Sequence, residues 1–283
     1  MPTLRLPERP AVRLALAALL GAVGVGCFAP FELFWLAPLI WGGLFGLLCR
    51  SSSVREASLT GLAFGLGFFL TGVSWVYVSL SVFGGMPWWL AGVAAFLFCA
   101  VMALFPMAAS AAFKRWQPFA LWLQALFFAA LIALADWFRG WIFSGFPWLT
   151  VGYSQSPPSP LAGFAPLLGV HGLSLLVALS GALLWRWRIG LTVLLTLAAS
   201  GFGLRQIAWT QPDGEPVSVA LIQGNVPQEM KFRPEAFART LALYRDLVAQ
   251  NPAQLTLLPE TAIPAFFDQL SPAYIAEMKA LVA

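Results

Sequence analysis

The sequence predicts a polytopic α-helical membrane domain of about seven spans, followed by an α/β layered domain that is incomplete within the chain. Three observations lead there. Of the 283 residues, 60% are hydrophobic and only 10% charged, whereas soluble domains carry about 25% charged residues. Mean hydropathy is +0.80, and the apolar residues fall into runs near the ~20 residues that cross ~30 Å of hydrocarbon. After about residue 208 the composition changes abruptly to turn-forming and polar residues.

The runs place spans near 11–28, 32–49, 57–79, 88–112, 118–138, 166–185 and 189–207. The first two meet at Phe28-Ala29-Pro30-Phe31, where Pro30 ends a helix and forces a tight turn. Arg5, Arg9 and Arg13 precede the first run as in a signal peptide, and Val25-Gly26-Cys27 faintly resembles a lipoprotein cleavage site. Gly24 stands three positions before Cys27, however, and further spans follow at once, so the first span is expected to stay.

Orientation follows from the basic residues. With the N-terminus cytoplasmic, the inner segments hold Arg5, Arg9, Arg13, Arg50, Arg55, Lys114, Arg115, Arg186 and Arg188, while the outer loops hold only Arg139, at an edge. This is the positive-inside pattern, and seven crossings place everything after about residue 208 outside the cytoplasm. The net charge of +4 is therefore explained by topology, and nucleic acid is not an expected partner. Cys27, Cys49 and Cys99 lie in or beside apolar runs, which implies neither a disulfide framework nor a metal site. The outer loop at 139–165 is long and rich in aromatics, Gly and Pro. It reads equally as an aromatic belt and as a substrate-facing arm.

Residues 208–216 form a turn-rich linker. Val217 to Ile222 alternates as a strand into Gln223-Gly224-Asn225, and Arg233 to Gln250 carries Phe237, Leu241, Tyr244 and Val248 at helical spacing. Leu255 to Leu258 is a second strand, and Pro272 to Val282 begins a second helix. Strand, helix, strand, helix opens an α/β layered domain over 217–283, which is too short to bury both faces of a sheet.

Glu260 follows the second strand, where the carboxyl ends of strands in α/β sheets present side chains to a site. A carboxylate there suits general-base work, and a surface loop acid is the plain alternative. His171, the single histidine, reads as a packed or interfacial residue, and no Ser-His-Asp triad is distributed through the chain unless His171 itself serves. Asp136 and Arg139, three apart, are expected to pair with each other. No Gly-rich phosphate loop marks a strand–helix junction, and no cofactor or metal is implied.

Taken in order, Phe28-Ala29-Pro30-Phe31, Gly145-Phe146-Pro147-Trp148, Gly152-Tyr153-Ser154-Gln155, Ala165-Pro166 with Gly169-Val170, Ala220 to Gln228, and Pro259-Glu260-Thr261-Ala262-Ile263-Pro264 resemble the bacterial apolipoprotein N-acyltransferase family. The resemblance covers essentially the whole chain, which corresponds to the first half or so of a family member. It implies a membrane domain over 1–207 and, over 217–283, the N-terminal part of an extracytoplasmic nitrilase-like αββα domain. It further implies transfer of a fatty acyl chain from a phospholipid donor to the N-terminal amine of an S-diacylglyceryl-cysteine apolipoprotein, in the bacterial inner membrane, through a thioester acyl-enzyme. Of the family's Glu–Lys–Cys triad, Glu260 matches the glutamate. The lysine, the nucleophilic cysteine and a final span are expected beyond residue 283, so the chain alone is expected to be inactive. Lys279 does not match the lysine's context, and Phe232 stands where the family more usually has Trp.

Trp148, Tyr153, Gln223, Asn225 and Phe232 are candidate substrate contacts and equally candidates for loop packing. Two rival readings are a transporter, against which the charge-free span interiors argue, and a non-catalytic membrane scaffold.

Overall fold

A computed structural model describes residues 10–156 and 158–282. Arg5 and Arg9 of the charge pattern, Pro157 of the outer loop and Ala283 lie outside the described residues. The chain divides into two compact units, Met1–Trp209 and Thr210–Ala283.

In the first unit, helix α1 (Pro10–Gly24) opens on a proline, whose fixed φ suits a first helical position. It runs into a 3₁₀ turn, Val25–Cys27. The Phe28 carbonyl then accepts from the amides of both Phe31 and Glu32, at 3.0 Å each, closing the turn that contains Pro30. Helix α2 (Ala37–Cys49) follows a 3₁₀ turn at Phe34–Leu36. Helix α3 (Val54–Gly72) is capped by Ser53, whose hydroxyl accepts from the Glu56 amide, and Glu56 pairs with Arg13 of α1. Helix α4 (Trp75–Val78) continues as a π turn to Phe83. Helices α5 (Trp88–Arg115), α6 (Leu121–Arg139), α7 (Ala165–Leu183) and α8 (Trp187–Leu204) complete the unit.

Five of these segments are long and apolar enough to cross a membrane: Pro10–Cys27, Trp88–Arg115, Leu121–Arg139, Pro160–Leu183 and Trp187–Leu204. A sixth arises if Val54–Gly72 and Trp75–Phe83, bent by 50°, are one span. Phe34–Cys49 is apolar but shorter; at 1.5 Å per residue it reaches about 24 Å, less than a full hydrocarbon core. The stretch 57–79, read from sequence as one run, is thus broken beyond Gly72. There the Ser74 hydroxyl donates to the Thr71 carbonyl (3.3 Å), a side-chain bond that competes with the helical ladder.

Lipid tails are as apolar as leucine, so helices in a membrane associate through close packing rather than hydrophobic exclusion. The main contacts, α3 with α5, α1 with α3, α6 with α7 and α2 with α7, have that character. Pro106 and Ala103 of α5 sit in a notch on α3 left by Gly61 and Gly65: a Cβ on Gly61 would lie 2.5 Å from the Pro106 carbonyl oxygen. Aromatic rings fill the centre, with Trp41 and Phe64 at 5.0 Å and Phe45 against both Phe128 (5.4 Å) and Phe113 (5.7 Å).

The second unit is a βαβ element with a further helix. Strand β1 (Val219–Leu221) pairs in parallel with β2 (Leu255–Leu257), in the register Val219–Leu255, Ala220–Thr256 and Leu221–Leu257. Parallel neighbours need a crossover, supplied here by α9 (Pro234–Gln250). Tyr244 and Val248 of α9 bury against Ile222 and Ala262, with Ala220 alongside. Helix α10 (Pro272–Leu281) is capped by Ser271. The opposite sheet face, carrying Val219, Leu221, Leu255 and Leu257, is exposed.

Candidate active site

Both strands of the second unit end at one edge of the sheet, and the loops that leave them there hold the candidate residues. The Ile222 amide still donates to the Leu257 carbonyl (2.9 Å), after which Gln223-Gly224-Asn225 and Leu258-Pro259-Glu260 diverge. Each loop contains a left-handed non-glycine residue, Asn225 (φ 47°) and Thr261 (φ 56°). Such positions cost roughly 1–3 kcal/mol and persist only where the surroundings fix them. The surroundings here are specific. Gly224 lies on the Tyr244 ring, where a Cβ would come within 2.8 Å, and the Ala262 amide donates to the Pro259 carbonyl (3.1 Å), with Ala262 buried.

A third segment joins these loops. Residues 227–233 form a chain of turns, from which the Lys231 ammonium donates to the Glu260 main-chain carbonyl at 3.0 Å. The backbone of Glu260 is therefore held while its side chain is exposed, and among the described residues its carboxylate enters no ion pair. Gln223, Asn225 and Phe232 are exposed as well, Phe232 at 67%. The fold thus gathers Gln223, Asn225 and Glu260 on loops at one sheet edge, and Lys231 brings the segment bearing Phe232 to the same loop. Sequence reasoning missed Lys231; its place immediately before Phe232 was the available signal.

Trp148 and Tyr153 lie in the first unit, on the segment between α6 and α7. This segment is pinned by a buried polar network. The Asp136 Oδ1 faces Arg139 Nη2 at 2.9 Å, and Oδ2 accepts from the Val151 amide (2.8 Å) and the Ser174 hydroxyl (2.9 Å). Arg139 also donates to the carbonyls of Phe146 (2.6 Å) and Trp148, and its guanidinium lies over the Phe69 ring. Gln155, buried, donates to the Phe34 carbonyl (3.3 Å) and accepts from the Ser159 hydroxyl (2.8 Å). So held, the half-exposed Trp148 ring packs 5.3 Å from Trp75, and Phe146 packs 4.9 Å from Phe98, while Tyr153 is exposed. The expected Asp136–Arg139 pair is present, and it is buried.

His171 is half-buried just past Gly169, where α7 breaks (φ 62°, ψ −175°), and its Nδ1 finds no partner among the described residues. The three cysteines are in the first unit, and none is disulfide-bonded. Among the described residues no cluster of His, Cys, Asp and Glu has the arrangement of a metal site.

A bundle of apolar helices held by glycine notches, with a βαβ unit after it, defines a multi-pass membrane protein carrying an α/β element. The family model described as "Apolipoprotein N-acyltransferase N-terminal domain" matches residues 20–183, and the chain belongs to that family. Proteins named apolipoprotein N-acyltransferase are similar to it along nearly its whole length. The one from Nitrosomonas europaea is 48% identical over 276 residues, covering 93% of this chain and 54% of its own. That from Chromobacterium violaceum is 44% identical over 288 residues, covering 98% and 55%. That from Ralstonia nicotianae is 42% identical over 268 residues, covering 90% and 50%. The chain spans about half the length of the curated relatives it matches.

Proposed function

We propose that this chain serves lipoprotein N-acylation: transfer of a fatty acyl chain from a membrane phospholipid to the N-terminal amine of an S-diacylglyceryl-cysteine in an apolipoprotein. In this reading the first unit crosses the bacterial inner membrane seven times, counting the short Phe34–Cys49 helix and the bent α3–α4 pair as one span each. The basic ends of the helices face the cytoplasm, and the second unit stands outside as the first layer of a nitrilase-like domain. Its exposed apolar sheet face supports this, because layered α/β domains cover such a face with another layer.

The observation that carries the reading is the Glu260 loop, fixed at the carboxyl edge of a parallel pair by Lys231 with its carboxylate left outward. Glu260 acts there as general base. It takes the proton of a cysteine thiol, whose thiolate attacks the phospholipid ester carbonyl, and returns that proton to the glycerol oxygen of the departing lysophospholipid. It then takes the proton of the apolipoprotein amine as that amine attacks the thioester, and returns it to the departing cysteine sulfur. Gln223, Asn225, Phe232, Trp148 and Tyr153 are proposed substrate contacts. All three cysteines of the sequence lie in the membrane unit, so the chain by itself is expected to show no turnover.

The test is a chimera in which residues 1–283 replace the matching part of the Nitrosomonas europaea relative. It is expected to add one acyl mass to a diacylglyceryl lipopeptide with a free amine. Glu260→Gln should then lower the rate by about 10²-fold or more, the scale of general-base catalysis. A folded chimera whose rate ignores that substitution overturns the assignment.

A further inference from the structure

The segment between α6 and α7 is wound around one ion pair. Arg139 closes α6, and its Nη1 donates to the carbonyls of Phe146 (2.6 Å) and Trp148. Its Nη2 bonds Asp136 one helical turn back, and Asp136 Oδ2 accepts from the Val151 amide (2.8 Å). Main-chain groups at 146, 148 and 151 are thereby captured by a single pair of side chains. Between the last two captures sits Leu149, a buried residue in the left-handed region (φ 58°), which persists only where its surroundings fix it. The Ser174 hydroxyl of α7 donates to Asp136 Oδ2 (2.9 Å) and accepts from the Gly152 amide (2.9 Å), so a second helix ties down the same stretch.

What this winding presents is Trp148. Its ring is 52% exposed, with Trp75 at 5.3 Å and Phe146 stacked at 6.4 Å. Phe146 stands edge-on to Phe98 of α5, at 4.9 Å. Among the described residues the Trp148 indole N–H donates to no protein group. An amphipathic ring with one free donor suits the boundary between lipid tails and headgroups. Stability alone does not account for the ion pair beneath it, because apolar residues of like volume often replace a buried pair without loss. What apolar residues lack is the three directed bonds to main chain that fix where Trp148 lies.

We propose that Arg139, set by Asp136 and Ser174, is a positioning residue for substrate: it holds Trp148 so that the indole N–H meets an ester carbonyl of a diacylglyceryl group and the ring meets its chains. Ester oxygens accept and never donate, which matches a lone donor, and they adjoin apolar chains as the indole N–H adjoins the apolar body of its ring. A lysine would keep the charge of Arg139 but not the planar fork that serves a carboxylate and two carbonyls at once. The inference rests on the proposed function, in which Trp148 touches substrate, and deepens it by naming the part of the substrate and the residues behind the contact.

The test is photocrosslinking of the full chain in lipid nanodiscs by a diacylglyceryl lipopeptide with a photoreactive group in one chain. Crosslinks located by mass spectrometry should fall on residues 146–153 and saturate. A phospholipid carrying the same photoreactive chain tells which of the two diacylglyceryl substrates stands there, and labelling of 146–153 by neither overturns the proposal. Trp148→Ala should weaken apparent affinity about 30-fold, the scale of an aromatic hot spot. Arg139→Lys should weaken it by a similar factor and the double variant no further, because both remove one contact. An unchanged affinity in folded Arg139→Lys protein, or losses that multiply in the double variant, is the mark of a purely structural residue and overturns the proposal. Should Arg139→Lys not fold, Ser174→Ala, which removes only neutral bonds, takes its place under the same requirement. Crosslinks elsewhere in the unaltered chain sink this inference and leave the Glu260→Gln result standing. A chimera indifferent to Glu260→Gln, with crosslinks at 146–153, sinks the proposed chemistry alone.

Discussion

Asp136 shows how a membrane protein keeps an acid out of water. Both carboxylate oxygens are used, one by Arg139 and the other by the Val151 amide and the Ser174 hydroxyl, and Arg139 spends its other donors on the carbonyls of Phe146 and Trp148. Removing one partner strands a buried charge, which costs roughly 3–5 kcal/mol. Asp136→Ala is therefore expected to lose about that much stability in detergent unfolding, and to make the segment around Trp148 newly cleavable by protease. Lys231 does a smaller version of the same work. Its bond to the Glu260 carbonyl joins a charged donor to main chain, a class contributing about 1.5–3 kcal/mol where sheltered and less at an exposed site such as this. Lys231→Met should speed hydrogen exchange at the amides of residues 260–262 while leaving α9 protected. The pairing of Asp136 with Arg139 was legible because three residues is one helical turn. The partners Val151 and Ser174 were not, since only folding brings residues 15 and 38 positions away onto the same oxygen.

At the scale of elements, hydropathy located the apolar stretches of the first unit but not their breaks, and five of those stretches, or six with the bent α3–α4 pair, are long enough to cross a membrane. The run 166–185 reads as uniformly helical, yet α7 breaks at Gly169, whose φ of 62° with ψ of −175° is open to glycine alone. Gly169→Ala has no side-chain clash to relieve, since nothing lies within 4 Å of the added Cβ, so its effect isolates the backbone term. A loss of roughly 1–3 kcal/mol is expected in thermal unfolding of the detergent-solubilised chain. Where α2 meets α7 the argument is steric. A Cβ on Gly181 would sit 2.2 Å from the Pro38 carbonyl oxygen, main chain that cannot turn aside. Gly181→Val should destabilise the bundle by at least the ~1–3 kcal/mol of overpacking, read in thermal unfolding of the detergent-solubilised chain. In the second unit the alternation of Val217 to Ile222 gave the strand and the period of Phe237, Leu241, Tyr244 and Val248 gave the helix. The paired portion is nevertheless only Val219–Leu221, because β2 offers just three partners.

For the molecule as a whole, sidedness is the consequence most open to test. The proposed topology, with an odd number of crossings, puts the second unit outside the cytoplasm, so an alkaline phosphatase fused after residue 208 should be active and a green fluorescent protein fused there dark; the reverse pattern would exclude the proposed site for Glu260. The sequence by itself determined that this is a membrane protein, which helix ends are basic, the family it resembles, and that Glu260 follows a strand. Each of these follows from composition, charge order or short local patterns. Only the tertiary structure decided that α3 and α4 bend apart, that a buried Asp136–Arg139–Ser174 network fixes the Trp148 segment, and that Lys231 holds the Glu260 loop. Those are meetings of residues far apart in the chain, and in a membrane they are settled by shape and hydrogen-bond satisfaction, which hydropathy does not record.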